Sequence, residues 1–149
     1  TVALLEKIDP PPDGLIVATP GNPTGTMLHP DEFAAITDWC VANGVRLISD
    51  EIYHGLHWGI PISTAVRVPG AVVINSFSKY FSMTGWRVGW MVVPEILVRP
   101  IERLQQNLSI SVPSLSQIAA EAAFDGAAEM EAIKHGYQEN RRILIEGLP

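Results

Sequence analysis

Between Ser76 and Arg87 the chain reads Ser-Phe-Ser-Lys-Tyr-Phe-Ser-Met-Thr-Gly-Trp-Arg, one lysine set among hydroxyls and a glycine, with an arginine eight positions on. Ser76, Ser78 and Arg87 suit a phosphate dianion, because hydroxyls supply directional donors and a guanidinium supplies charge-assisted ones. Lys79 is one of three lysines, beside Lys7 and Lys134. Most lysines are solvated points on a surface. Lys79 instead lies just beyond an apolar run, between Ser78 and Tyr80, which favours a functional amine; Lys7 and Lys134 read as surface charges. Two upstream segments add polar groups, Asn22-Pro23-Thr24-Gly25 and Ser49-Asp50-Glu51-Ile52-Tyr53. Together they read as a cofactor seat.

The elements that must position these residues follow from local patterning. Leu15-Ile16-Val17-Ala18, bounded by Asp13-Gly14 and Pro20-Gly21, predicts a buried strand ending in a loop. Pro30-Asp31-Glu32 opens a helix, with proline in the first turn, acids at the positive end of the dipole, and Phe33, Ile36 and Cys40 on one face; Gly44 ends it. Residues 45–50, 71–76 and 88–93 predict further strands. Residues 95–109 and 114–147 predict helices, with breaks at Pro113 and Asp125-Gly126. Strand, helix, strand is a βαβ rhythm, so the fold class is α/β. In an open α/β sheet ligands collect beyond the carboxyl ends of the strands. Asn22, Asp50 and Ser76 all fall at such ends, which gathers three separate segments into one expected site.

Composition bounds the alternatives. A chain of 149 residues, 47% hydrophobic and 17% charged, suits one domain with a real core. A net charge of -6 with scattered basic residues disfavours nucleic acid as a partner. No apolar run reaches the length of a membrane-spanning helix, and the opening residues lack a basic region followed by an apolar stretch, so a cytoplasmic location is expected. Cys40 is the lone cysteine and reads as a core filler. His54 and His57 are separated by Gly55-Leu56, which argues against a helix aligning them on a metal, and no third ligand is spaced nearby; no metal site is expected. His29 reads as a helix-start residue and His135 as a helix surface residue.

The three polar segments, in this order, resemble the pyridoxal-phosphate (PLP) aminotransferases of fold type I, the class I/II family, over nearly the whole chain. The resemblance implies part of a PLP-binding large domain, a mostly parallel sheet with flanking helices. It implies that Lys79 holds the cofactor aldehyde as a Schiff base and later moves the substrate α-proton. Asp50 would pair with the protonated pyridine nitrogen and keep the ring an electron sink. Tyr53 and Asn22 match the donors to the phenolate oxygen, and Ser76 and Arg87, with Ser78, match the phosphate donors. Blander roles stand beside these: Asp50 as a cap for the next segment, Arg87 as a gatekeeper of an edge strand. Glu51 reads as structural, and Pro23 and Gly25 as residues that fix the Asn22 loop. Gly85 and Gly89 would permit close backbone approach, while Tyr80, Phe81, Trp86 and Trp90 read as packing residues.

Residues 1–149 are thus expected to form a partial large domain, with the helix from about residue 127 leading toward a small domain that the chain does not include. No glycine-rich segment or stacking aromatic of the family pattern precedes Asn22, and the role of the substrate-carboxylate arginine is assigned to neither Arg141 nor Arg142. The chain is expected to retain the lysine half of the site and not to turn over alone. The resemblance implies amino-acid and 2-keto-acid substrates and a homodimer for the complete enzyme, residues 107–113 matching a segment near the partner's site. The lack of an arginine between Arg103 and Arg141 disfavours one version of aspartate specificity. Three rivals remain: a Ser-x-x-Lys hydrolase read from Ser76 and Lys79, which lacks its companion motifs; a PLP-dependent carbon-sulfur β-lyase of the same fold; and a non-catalytic, ligand-sensing copy.

Overall fold

The computed structural model describes residues 1–148. Its elements are α1 (Val2–Leu5), β1 (Gly14–Ala18), α2 (Pro30–Ala42), β2 (Arg46–Asp50), β3 (Val72–Ser76), a 3-10 turn (Thr84–Trp86), β4 (Gly89–Val92), α3 (Glu95–Leu108), α4 (Ser114–Ala123) and α5 (Ala127–Gly147). The strands form one sheet in the order β1-β2-β3-β4. β1, β2 and β3 run parallel, and β4 returns antiparallel to β3. The α/β class and mostly parallel sheet expected from the sequence are therefore present.

Local chemistry explains the element boundaries. α2 starts where His29 Nδ1 accepts from the Asp31 amide at 3.5 Å, with Pro30, Asp31 and Glu32 in the first turn. It ends before Gly44, which adopts φ 67°, a backbone angle that suits glycine. One face of α2 packs into the core: Phe33, Ile36 and Cys40 join Val45, Leu47, Ala65, Ala71 and Val73. Burial raises the Cys40 thiol pKa, as suits a core filler. α1, which no sequence signal predicted, is a single turn whose Val2 and Leu5 pack against this core. A second cluster of Phe77, Met83, Val88 and Ala120 lies under the β3–β4 connection. Phe81, Trp90 and Phe124 surround Phe77 with ring centroids 4.9–5.2 Å away, edge-rich geometry typical of packed aromatics. Trp86, in contrast, is largely exposed.

The β2–β3 crossover holds the main surprise. A parallel connection usually runs through a helix, yet residues 51–71 form only turns and irregular backbone, with Gly55, Gly59 and Gly70 at positive φ. A buried carboxylate takes the helix's place. Glu51, 3% exposed, accepts from Ser49 Oγ at 2.9 Å, Thr64 Oγ1 at 2.8 Å and the Ala65 amide at 2.8 Å. Two ends of the crossover are thereby tied to one side chain.

Candidate cofactor site

The parallel register, Ala18 beside Asp50 and Asp50 beside Ile74, brings the carboxyl ends of β1, β2 and β3 to one edge of the sheet. Asp50 is the last residue of β2 and Ser76 the last of β3, while Asn22 follows β1 in a loop. That loop is pinned at both ends: the Leu28 amide donates to the buried Thr19 hydroxyl at 3.0 Å, and the Gly21 amide donates to the Thr26 carbonyl at 2.9 Å.

Asp50 and Tyr53 belong to one turn. Asp50 Oδ1 accepts from the Ile52 amide at 3.1 Å, an Asx arrangement that reverses the chain beyond the strand. Its second carboxylate oxygen accepts no hydrogen bond among the described residues. Lys79 arrives from the far side, its Nζ standing 5.7 Å from the centroid of the Tyr53 ring. No carboxylate pairs with Lys79 or Arg87 among the described residues. Asn22 and Tyr53 line a cavity of about 480 Å³ whose walls include Met27, Leu56, Trp58 and Arg141.

The phosphate candidates are joined through the β3–β4 connection. Ser76 Oγ accepts from the Ser78 amide at 3.0 Å; the Ser78 carbonyl accepts from Thr84 Oγ1 at 2.7 Å; the Thr84 carbonyl accepts from Arg87 Nη1 at 3.0 Å. Arg87 sits at φ 53°, ψ 48°, a conformation uncommon outside glycine, asparagine and aspartate. Such outliers concentrate at functional positions. The antiparallel pairing sets Ser76 opposite Gly89, so the start of β4 returns Arg87 to the end of β3. Gly89 itself serves the sheet: a Cβ there would lie 2.7 Å from the Asn75 carbonyl oxygen. Gly85 faces open space, so close packing does not explain it.

Several neighbours carry more than the sequence revealed. His54 Nδ1 lies 3.3 Å from Glu51 Oε2. Desolvation lowers the His54 pKa, outweighing the opposing pull of Glu51, the Thr19 backbone and Asp50. The contact between the ring and Glu51 is one of charge proximity, without hydrogen-bonding geometry. His54 Nε2 is buried without a hydrogen-bond partner among the described residues. Lys134, read from sequence as a surface charge, is only 19% exposed and lies 3.6 Å from Glu131. The long-range partner of that glutamate, Tyr80, gave no sequence signal.

A mostly parallel α/β sheet with a lysine, an aspartate, a tyrosine and hydroxyl donors at its carboxyl edge has the form of the α/β domains that bind ligands beyond their strand ends. The chain matches the family described as aminotransferase class I and II over residues 1–149, and it belongs to that family. Members of the family are PLP-dependent. The chain is similar to the valine–pyruvate aminotransferase of Mycobacterium tuberculosis strain ATCC 25618 / H37Rv, at 50% identity over 99% of this chain and 39% of the relative. It is 33% identical to an aspartate aminotransferase of Geobacillus stearothermophilus over 97% of this chain and 39% of that protein. The crystal structure of an aminotransferase from Mycobacterium tuberculosis superposes with a TM-score of 0.93 at 51% identity, covering 99% of this chain and 40% of that one. The chain thus spans about two fifths of the length of these relatives.

Proposed function

We propose that this chain is the lysine-bearing part of a larger PLP-dependent aminotransferase that moves an amino group between an amino acid and a 2-keto acid. The observation that carries this reading is the approach of Lys79 to the Asp50–Tyr53 turn at the carboxyl edge of the sheet. The donor set fits the cofactor's chemistry: an amine for its aldehyde, a half-free carboxylate for its ring nitrogen, Tyr53 and Asn22 for its phenolate oxygen, and Ser76, Ser78 and Arg87 for its phosphate. PLP supplies an electron sink for the charge left when a substrate loses its α-proton. In this reading Lys79 would hold the cofactor aldehyde covalently and, once the substrate's amine displaces it there, its freed amine would carry that proton as a general base. Asp50 holds a proton on the ring nitrogen, an ion pair strengthened by its half-buried setting.

The 50% relative is named for valine and pyruvate, and Met27, Leu56 and Trp58 give the cavity beside Tyr53 apolar walls. Both favour an aliphatic amino acid as donor. The relatives reported above are named aminotransferases, and the β-lyase has no comparable support. A homodimer is the assembly we favour; Leu108 and Ile110, 80% and 79% exposed, are apolar groups that a partner would cover.

The test is to incubate the purified chain with PLP, reduce with borohydride, digest, and locate the phosphopyridoxyl-lysine by mass spectrometry. Labelling confined to Lys79 is expected. Label spread over Lys7, Lys79 and Lys134 would report general aldehyde reactivity and remove the assignment for this chain.

A further inference from the structure

Tyr80 adjoins Lys79 and takes no part in the chemistry proposed above, yet it touches two separate parts of the molecule. Its hydroxyl donates to Glu131 Oε1 on α5 at 2.8 Å. Lys134 holds the other oxygen of that carboxylate at 3.6 Å. The Tyr80 hydrogen bond is the largest influence keeping the Glu131 carboxyl below its usual pKa, so the acceptor is ionised at neutral pH and the bond is charge-assisted. On its other side the Tyr80 ring lies against Gly55: a Cβ there would overlap the ring, and Gly55 adopts φ 94°. Gly55 stands two residues after Tyr53, in the same turn.

We propose that Tyr80 is a positioning residue which, held between Gly55 and Glu131, fixes the Lys79 turn against the Tyr53 turn and against α5. The proposal rests on the reading of Lys79 as the cofactor lysine. The turn's own hydrogen bonds are short-range: Ser82 amide to Lys79 carbonyl and Met83 amide to Phe77 carbonyl, each 3.0 Å, and Thr84 Oγ1 to Ser78 carbonyl at 2.7 Å, while Phe81 packs on Phe77, Trp90 and Phe124. None of these reaches the Tyr53 turn. The Tyr80 tether does, and it makes the separation of Lys79 from Tyr53 depend on where α5 lies.

The experiment uses the full-length protein with Tyr80→Phe, Glu131→Ala, their combination, and Glu131→Gln. Without cofactor, amide hydrogen exchange at Ser82 and Met83 should quicken roughly 3- to 10-fold in either of the first two variants. The combination should add little, as expected for two partners of one interaction. Glu131→Gln keeps an acceptor for the tyrosyl hydroxyl and should restore most of the protection. With PLP, the rate of borohydride-trapped capture at Lys79 should fall by a similar factor while the thermal midpoint stays unchanged. Unaltered exchange and capture in both single variants, additive effects in the combination, or no rescue by glutamine would each overturn the tether. If the unmodified protein labels at Lys79 but capture ignores the substitutions, only the tether falls. If it does not label at Lys79, the cofactor reading falls and the proposal with it.

Discussion

Glu51, buried, and His54, partly so, pair at 3.3 Å, one residue beyond Asp50 and one beyond Tyr53. Between them they flank the turn that carries both side chains of the candidate site. Because Glu51 also binds Ser49, Thr64 and Ala65, the position of Asp50 is set by a polar core beneath it and not by the exposed loop around it.

Glu51→Ala should therefore be among the most damaging substitutions in the chain. It would leave buried hydroxyl and amide donors without an acceptor, each costing about 1–3 kcal/mol. A loss of about 3 kcal/mol or more is expected, measured as a lowered midpoint in urea denaturation. An unchanged midpoint would show that the crossover is held by something else.

Stability should also fall with mild acid. His54 and His57 both have folded-state pKa values lowered by burial, so the unfolded chain binds protons more readily than the folded one. Their contribution is complete above the unfolded histidine value, about 6.5, and is lost as pH drops from there through the folded values. Thermal midpoints recorded between pH 7.5 and 5.5 should decline, and His54→Gln should flatten the slope; a midpoint rising over that range would contradict the sign.

Arg87→Gly separates two roles. Glycine suits the left-handed backbone at this position, while its greater freedom when unfolded opposes that gain, so stability should stay within about 1 kcal/mol. Loss of a guanidinium–phosphate contact, worth about 1.5–3 kcal/mol, should weaken PLP binding roughly 10- to 100-fold. Fluorescence titration of the full-length protein gives the second number. Equal PLP affinity in the two proteins would return Arg87 to a structural role.

Lys79→Ala in the full-length protein should slow the first half-reaction by at least roughly 100-fold, the scale of a positioned general base. Single-turnover spectra after mixing with amino acid provide the measure. Turnover at the unmodified rate would exclude Lys79 as the reacting amine.

Much of this architecture was legible in the primary structure, for identifiable reasons. The strands of the sheet are short apolar runs closed by glycine, proline or polar residues, and β1, β2 and β3 fall within one residue of their expected limits. α2 carries its own start and stop signals in Pro30 and Gly44. The crossover after Asp50 was not legible, because what organises it is a single buried carboxylate with partners as far away as Ala65. Sequence spacing does not encode such a hub. The Tyr80–Glu131 bond escaped for the same reason, joining residues far apart in the chain through side chains of ordinary composition. The positions of the candidates Asn22, Asp50 and Ser76 could be read because strand ends, unlike side-chain networks, follow from periodicity, while the roles given to Lys79, Tyr53 and Arg87 came from the family resemblance.

The reversal of β4 has a kinetic corollary. Ser76 and Gly89 pair across one short connection, whereas Asp50 reaches β3 only through the long irregular segment that follows it. Closing a shorter loop costs less chain entropy, and local contacts form sooner than distant ones. The hairpin bearing Ser76, Ser78, Lys79 and Arg87 can thus pair before the aspartate and asparagine strands dock, gaining its apolar packing as Ala120 and Phe124 close on it. Early intermediates in refolding would carry the candidate lysine and phosphate donors before they carry Asp50.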